Sequence, residues 1–411
     1  MALWPTLAAA CVIVAGHTGS SAGADRFLSW KPLVKLGDSS YALYLFHWPV
    51  LVIFLVVSGR DHAGIKAGLA IIVVSLVAAI LATRWIDTPL RRNKWIEKKR
   101  RRAVTVIAVC IALVAVPLTG WQLQISAAER AVLAQAENNN PGAAALRAGF
   151  VDKAEAGAPM LPAMTALKKQ WVSLGNRCEG DFATSEPVLA KSCAQSKVDG
   201  KARKTIIVVG DSHAEQWMGA LIPVAEKQHW QLVALLLGGC DFGSEAVESG
   251  RSEPCRDFNG AAEKYIVDHK PDAVFTMSTD AVPDSPEERV IPGYTEAVKA
   301  FTTAGIDVIG IRDNPRFQTN KASCVAAKGA AECSFAKSAN LAPVDPAEAL
   351  NEIPGAYMLD LSDRLCTGDR CDAVIGNVLV YLDDNHLSKD YATSMAPDLA
   401  QCLFAATGWK K

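Results

Sequence analysis

The sequence predicts an α/β protein in which a parallel sheet flanked by helices is preceded by transmembrane helices. Three observations lead to this fold class. Long apolar runs are confined to the first 121 of the 411 residues. From residue 204 onward, short β-branched runs alternate with helical patterns, which is typical of a parallel sheet covered on both faces. Nine of the eleven cysteines follow residue 177, which indicates that this later part folds in an oxidising compartment.

Residues 1–121 are interpreted as the terminal part of a membrane domain with about four transmembrane segments. The runs Tyr41–Val57, Gly64–Thr83 and Ala103–Trp121 approach the roughly 20 apolar residues that cross a bilayer. The shorter run Leu3–Gly16 has no basic residue before it, which argues against a signal peptide. We expect it to be the end of a further span, and residue 1 need not be the natural start.

Lysine and arginine residues near the span ends predict which side of the membrane each loop faces. The loop between Arg91 and Arg102 is dense in basic residues, and so is the loop with Arg26, Lys31 and Lys35. Both are expected to be cytoplasmic, which places everything after Trp121 on the opposite side. We therefore expect a multi-pass protein of the bacterial inner membrane with its C-terminal domain in the periplasm or outside the cell. The bilayer is an expected partner, and nucleic acid is not, because the net charge is −1.

The late cysteines fall into neighbouring couples, with Cys402 left over. Couples separated by short loops suit disulfides. A metal site is not expected, because no CxxC pair occurs and few histidines lie near the cysteines. The sequence leaves the connectivity open, and the candidate couples are Cys178/Cys193, Cys240/Cys255, Cys324/Cys333 and Cys366/Cys371.

Two regions follow the membrane part. Residues 122–203 are interpreted as a periplasmic linker or extension, with helices predicted at Ala127–Glu137 and Ala143–Lys153. Residues 204–411 are interpreted as the α/β domain. Its predicted strands and helices alternate along the chain: Thr205–Val209, helix Ala214–Gln228, Gln231–Leu237, helix Ala261–His269, Ala273–Met277, helix Tyr294–Ala304, Asp307–Ile311 and Tyr357–Leu361.

A candidate nucleophile follows the first of these strands, in Gly210-Asp211-Ser212-His213. Ligands of parallel sheets bind at the carboxyl ends of the strands. Ser212 would begin a helix there, where free backbone N–H groups favour the oxyanion of an acyl-transfer intermediate. The alternative is that Asp211 or Ser212 only caps the helix.

A candidate base and its carboxylate partner lie near the C-terminus. Asp383 and His386 are three residues apart, a spacing that can place a carboxylate beside the imidazole in one helical turn or a tight loop. The carboxylate would hold the imidazole in the tautomer that accepts the proton of Ser212. The distal DxxH motif strengthens the case for a Ser-His-Asp esterase-type site.

These two motifs resemble those of the SGNH (GDSL-like) hydrolase superfamily, over about residues 204–408. The resemblance implies an SGNH-hydrolase-like domain in which Ser212 is the nucleophile and Asp383 and His386 complete the triad. It also implies an oxyanion hole built from the backbone of Ser212 and of a glycine in the second block, for which Gly239 is the candidate. The third block of the superfamily supplies an asparagine, whereas this chain has Ser278-Thr279-Asp280. Either a hydroxyl of Ser278 or Thr279 substitutes, or the hole is smaller.

The membrane part is similar to the last spans of acyltransferase-3 proteins. The similarity lies in Leu36–Tyr41, in Tyr44–Pro49 and in Asp87–Arg91. Fusions of such spans to an SGNH domain acylate cell-surface polysaccharides, including O-antigens and peptidoglycan. The resemblance therefore implies a membrane-tethered O-acyltransferase, with acetyl as the acyl group and a cell-surface polysaccharide or peptidoglycan as the acceptor. No cofactor is expected to stay bound; acetyl-CoA is the expected ultimate donor, through membrane spans that a partner protein would supply.

Two other functions remain open at this stage. The same triad would act as a periplasmic carbohydrate esterase or deacetylase if water reached the acyl-enzyme first. A non-catalytic glycan-binding module is the third interpretation, which the missing asparagine favours and the complete triad opposes.

Overall fold

The computed structural model describes residues 29–58, 60, 62–245 and 250–410, together with residues 4, 6, 7, 11, 13 and 14. The chain forms two compact units, Met1–Ile125 and Ser126–Lys411. Most of the candidate span Leu3–Gly16 lies outside the described residues, as does Arg26 of the first basic loop.

In the first unit, three described helices are long and apolar enough to cross a membrane: Ser40–Ser58, Ile65–Arg91 and Arg100–Ala134. They coincide with the three longest apolar runs of the sequence. The middle one contains a π-helical turn at Thr83–Asp87. From Ser29 onward, the described helices that begin in this unit are α1 Lys31–Asp38, α2 Ser40–Ser58, α3 Ile65–Ala82, α4 Thr88–Arg91, α5 Lys94–Glu97 and α6 Arg100–Ala134.

The second unit is a mixed α/β structure. Its described strands are β1 Asn176–Arg177, β2 Cys193–Gln195, β3 Lys204–Gly210, β4 Trp230–Leu236, β5 Ala273–Met277, β6 Thr279–Ala281, β7 Glu288–Val290, β8 Asp307–Ile311, β9 Phe335–Ala336, β10 Ala356–Leu359, β11 Cys366–Thr367, β12 Arg370–Cys371, β13 Val374–Ile375 and β14 Val378–Leu379. The described helices are α7 Ala136–Asn139, α8 Pro187–Ala190, α9 Ser212–Gln228, α10 Glu253–His269, α11 Tyr294–Thr303, α12 Lys321–Lys328, α13 Lys389–Ser394 and α14 Ala396–Thr407.

A seven-stranded central sheet organises this unit, in the order β1-β2-β4-β3-β5-β8-β10. The strands β4, β3, β5, β8 and β10 run parallel to one another. The short strands β1 and β2 add an antiparallel edge next to β4. The sequence of β3 accounts for its central position. Its continuous apolar run Ile206–Val209 is fully buried, as expected for a parallel strand covered by helices on both faces.

The carboxyl ends of β3, β4 and β5 meet at one edge of the sheet, because β3 pairs with both of the other strands. The Gly-Asp-Ser block follows β3, the turn with Gly239 follows β4, and Ser278 follows β5. This topology assembles the candidate site.

The segment before β3 is folded onto the sheet domain. Helix α7 ends at Asn139, and the Asn140 side chain donates hydrogen bonds to the backbone oxygens of Pro159 and Asn377, both 2.9 Å long. A helix predicted at Ala143–Lys153 is wrong, since only a 3₁₀ turn forms at Gly142–Leu146. Tertiary contacts override helical propensity in this segment. One of them is the 3.1 Å hydrogen bond from the Gly142 amide to the Gly376 carbonyl.

The four cysteine couples are bonded as disulfides, which confirms the predicted pairs: Cys178–Cys193, Cys240–Cys255, Cys324–Cys333 and Cys366–Cys371. Among the described cysteines, Cys402 is free, as expected, and so are Cys11 and Cys110 in the membrane part. Within the described residues, no cluster of histidine, cysteine or acidic side chains could hold a metal ion.

Candidate active site

Ser212 is the first residue of helix α9, directly after β3. The turn between them needs glycine at position 210, where φ is +142° and a Cβ atom would lie 3.1 Å from that of Ala214. The carboxylate of Asp211 accepts hydrogen bonds from the amides of His213 and Ala214. Asp211 is therefore the helix cap, and Ser212 is left with its side chain at the helix N-terminus.

The structure brings Ser212 and His386 together, although 174 residues separate them. Nε2 of His386 lies 2.8 Å from Oγ of Ser212. Nδ1 of His386 lies 2.9 Å from Oδ2 and 3.1 Å from Oδ1 of Asp383. With a proton on Nδ1 donated to the carboxylate, Nε2 is left as the acceptor for the serine hydroxyl. This is the geometry of a Ser-His-Asp triad.

The loop that carries His386 is shaped by Asp383 itself. Oδ1 of Asp383 accepts hydrogen bonds from the backbone amides of Asn385, at 2.9 Å, and of His386, at 2.8 Å. Burial would raise the pKa of the Asp383 carboxyl, but the hydrogen bonds from His386 and from these amides outweigh it and hold the pKa below its usual range. Asp383 therefore stays ionised beside the imidazole.

A buried network of hydrogen bonds also holds the loop that carries His386. Nε2 of Gln216 donates to Oδ1 of Asn314 at 2.6 Å, and the side chain of Asn314 donates to the backbone oxygen of Asn385 at 2.8 Å. The amide of Leu387 donates to Oε1 of Gln216. Helix α9 and the segment after β8 thus hold the backbone on both sides of His386.

A second histidine–carboxylate pair lies next to the first. Nδ1 of His213 is 2.8 Å from Oδ1 of Asp313, and both side chains are buried. Burial would raise the pKa of Asp313, but His213 and the guanidinium of Arg316 outweigh that effect and lower the pKa to about 2. Nothing in the sequence pointed to this pair, because its members are 100 residues apart and lie on different elements.

Glu215 also faces the site, one turn into helix α9. Burial raises the pKa of its carboxyl, and the negative charge of Asp211 adds to the rise, while His386 opposes it.

The turn after β4 presents the second candidate oxyanion donor. The Cys240 amide donates to the Leu237 carbonyl at 3.0 Å, which closes a turn with Gly239 at its third position. Gly239 has φ of +71°, the conformation that a type II turn requires there. Gly239 and Asp211 border one cavity of about 360 Å³. The amides of Ser212 and Gly239 therefore lie at the same edge of the sheet.

The hydroxyls of Ser278 and Thr279, the two candidates for a substitute third donor, have different surroundings. Ser278 is fully buried, and among the described residues its hydroxyl has no hydrogen-bond partner. The Thr279 hydroxyl donates to Glu288 at 2.7 Å and accepts the amide of Asp313 at 2.9 Å.

The remaining cavity wall is rich in charge of both signs. Asp280 pairs with Arg289 at 3.0 Å and with Arg316 at 3.0 Å. Arg251, which pairs with Asp241 at 3.1 Å, forms another part of the lining. Such a surface offers many hydrogen-bond donors and acceptors and little apolar area, which suits a polar ligand better than a long acyl chain.

A family model described as "SGNH domain (fused to AT3 domains)" matches residues 177–401. The chain belongs to this family. The match covers all three residues of the hydrogen-bonded series Ser212, His386 and Asp383.

Similar proteins match over shorter stretches. The O-acetyltransferase OatA of Staphylococcus aureus is 29% identical over 94 residues, which are 22% of this chain and 16% of the relative. The peptidoglycan O-acetyltransferase OatA of Listeria monocytogenes is 31% identical over 72 residues, or 18% of this chain and 12% of the relative. The aligned part is thus about a sixth or less of these curated relatives.

Among solved structures, the periplasmic domain of the lipopolysaccharide acetyltransferase of Salmonella ser. Paratyphi A overlaps with half of the chain. The alignment covers 50% of this chain and 85% of that domain, at 15% identity and a TM-score of 0.38.

Proposed function

We propose that this SGNH-family chain is a membrane-tethered O-acyltransferase that transfers an acyl group, acetyl by our inference, to a hydroxyl group of a cell-surface glycan. The observation that supports the proposal is the hydrogen-bonded series from Asp383 through His386 to Ser212, located at the N-terminus of α9. The related proteins named above are O-acetyltransferases, including one of peptidoglycan.

In this mechanism, Oγ of Ser212 attacks the carbonyl carbon of the acyl donor while Nε2 of His386 takes its proton. The amides of Ser212 and Gly239 stabilise the oxyanion of the tetrahedral intermediate. The leaving group takes the proton from His386, which gives an acyl-serine. A glycan hydroxyl then attacks the acyl carbon, its proton passes through His386 to Ser212, and the ester product leaves.

Asp383 orients the imidazole and stabilises its protonated form in each half of the reaction. Its lowered pKa supports this role, because the carboxylate remains charged across the range in which most proteins work.

Esterase activity is the second candidate function. The Asp383 side chain is 27% exposed and the Ser212 side chain is half-buried, so water can approach the acyl-serine. Water in place of the glycan hydroxyl turns the same steps into hydrolysis.

We propose that the second unit acts outside the cytoplasmic membrane, in the periplasm or at the cell surface. Four disulfides support this location, because such bonds persist in oxidising compartments. The three apolar helices support the bilayer as a partner. The ultimate donor in this proposal is acetyl-CoA, with the acetyl group carried across the bilayer by acyltransferase-3-type spans.

The test is covalent labelling of the full chain in detergent with a serine-reactive fluorophosphonate, together with hydrolysis of p-nitrophenyl acetate. We expect Ser212→Ala to abolish both, His386→Ala to do nearly the same, and Asp383→Ala to cost less. The exposed serine at position 323 provides the control, since Ser323→Ala should leave labelling intact. Full labelling and hydrolysis by the Ser212→Ala protein would refute the site assignment.

A further inference from the structure

The indole of Trp171 lies beside the imidazole of His386. Their ring centroids are 4.8 Å apart, and the two planes meet at 65°. Trp171 is 43% exposed, whereas the His386 side chain is 14% exposed. A large apolar surface thus opens to solvent directly next to the group that takes the serine proton.

The backbone on both sides of this tryptophan is fixed. Gln170 is buried, its side-chain amide donates to Asp390 at 3.2 Å, and the Asp390 amide donates back to Gln170 at 3.0 Å. Val172 is buried against helix α9, where its Cγ2 would lie 3.5 Å from a Cβ atom at Gly219. The indole therefore stands at the mouth of the site on an anchored segment, and it does not belong to a loose loop.

The transfer reaction determines what can occupy this place. When a hydroxyl attacks the acyl-serine, its oxygen must come within about 3 Å of Nε2 of His386 for the proton to be transferred. The acceptor ring that bears this hydroxyl must then lie next to the imidazole of His386. The acyl group and its oxyanion would lie instead toward the amides of Ser212 and Gly239, beside the cavity that Gly239 and Asp211 border.

We propose that Trp171 is the platform on which the acceptor sugar stacks during transfer, an inference that rests on the proposed function. A pyranose has faces of C–H groups and a rim of hydroxyls. The C–H faces fit the electron-rich face of an indole, while a rim hydroxyl reaches His386. In this step the sugar oxygen bonds to the acyl carbon, the bond from that carbon to Oγ of Ser212 breaks, and the sugar proton passes by way of Nε2 to Oγ.

The physical reason to assign Trp171 a binding role is its place, because the partly exposed indole contacts the imidazole that takes the serine proton. The alternative is that the indole only shields or positions His386. The two roles differ in one respect: positioning affects every reaction of the triad, whereas a sugar platform affects only the reaction that uses a sugar.

The experiment compares two activities of the full chain in detergent. One is hydrolysis of p-nitrophenyl acetate, which uses no sugar. The other is acetyl transfer from the same ester to base-deacetylated peptidoglycan or lipopolysaccharide, followed by mass spectrometry. The variants are Trp171→Ala and Trp171→Phe, with Phe150→Ala as a control at another exposed aromatic residue of the same segment.

We expect Trp171→Ala to raise the KM for the glycan at least tenfold and to leave hydrolysis within about twofold. Trp171→Phe should retain part of the transfer, and Phe150→Ala should retain all of it. An equal loss of both activities in Trp171→Ala, or no loss of transfer, would overturn the inference. Should the unaltered chain hydrolyse the ester but transfer acetyl to neither glycan, the proposed transferase function would fail, and the platform with it.

Discussion

The imidazole of His213 lies against that of His386, with 5.0 Å between the ring centroids and 40° between the planes. His213 is held in turn by Asp313. A buried histidine–carboxylate pair therefore packs against a partly exposed one, and the hydrogen bond with the serine hydroxyl is made by the histidine of the partly exposed pair. We interpret the inner pair as a support that keeps the His386 ring in line with Ser212.

The first prediction concerns the inner carboxylate. Since the folded protein holds the pKa of Asp313 at about 2, the ionised group stabilises the fold above about pH 4, and that contribution is lost as the pH falls toward 2. We expect Asp313→Asn to lower the free energy of unfolding at pH 7 by about 3 kcal/mol, a value typical of a broken buried pair. The difference in free energy of unfolding between this variant and the unaltered protein should shrink between pH 4 and pH 2, because Asp313 itself becomes protonated there.

Chemical denaturation of the full chain at a series of pH values measures this effect. The control is Asp372→Asn, because Asp372 pairs with Arg370 at the surface, at 2.8 Å, where such pairs contribute little. If the difference in free energy of unfolding between Asp313→Asn and the unaltered protein stayed constant down to pH 2, the assigned ionised state of Asp313 would be contradicted.

The second prediction separates two adjacent glycines. Gly239 has φ of +71°, whereas Gly238 does not have a positive φ, and a Cβ atom would meet nothing within 4 Å at either position. Alanine at 239 is strained by about 1–2 kcal/mol and should turn its amide away from the oxyanion. We expect Gly239→Ala to reduce kcat for p-nitrophenyl acetate about tenfold or more, with KM little changed.

Gly238→Ala is the matched control and should keep nearly full activity, since it adds the same methyl group without backbone strain. Equal kcat values for the two variants would show that the amide of Gly239 takes no part in stabilising the oxyanion.

The third prediction concerns the disulfide next to that turn. Cys240 directly follows Gly239, and its partner Cys255 lines the cavity. Replacing both cysteines with alanine should cost about 2–4 kcal/mol of stability and should also lower kcat/KM, because the turn with Gly239 loses its covalent anchor. Thermal unfolding and ester hydrolysis of the full chain measure the two effects.

The pair Cys178–Cys193 offers a matched comparison, since its sequence separation of 15 equals that of Cys240–Cys255. It joins the segment after β1 to β2, which pairs with β4 at Leu235, so it holds the strand before the turn and not the turn itself. Its removal should cost similar stability and leave kcat/KM unchanged. The same catalytic loss from both pairs would indicate a general effect of destabilisation.

The parts of the fold that were predictable were those with strong local signals. The strands Ala273–Met277 and Asp307–Ile311 have the predicted bounds, because buried parallel strands are short apolar runs between polar neighbours. Helix α10 begins at Glu253, eight residues before the predicted start. Its first two turns have few apolar residues, and its proline lies in the first turn, where helices accept it.

The residues of the candidate site also differ in how well the sequence predicts them. The Asp383–His386 contact is local, so its spacing in the sequence was informative. The position of Ser212 at the edge of the sheet followed from the rule that ligands bind at the carboxyl ends of parallel strands. Its contact with His386 depends on a loop outside the central sheet. Trp171 and Asp313 had no such signal, because each reaches the site from a separate element through contacts that only the tertiary structure defines.

The contacts of the segment before β1 determine where a fragment that contains the catalytic domain can begin. The sequence similarity to the family starts at residue 177, yet Gln170 and Val172 are buried in the same unit, and Asn377 donates a 3.1 Å hydrogen bond to the Asn139 carbonyl. A soluble fragment cut at residue 177 would retain the serine, the histidine and the carboxylate while stripping apolar surface from helix α9. A fragment that starts near residue 126 preserves these contacts, so the boundary of homology and the boundary of the compact unit are some fifty residues apart.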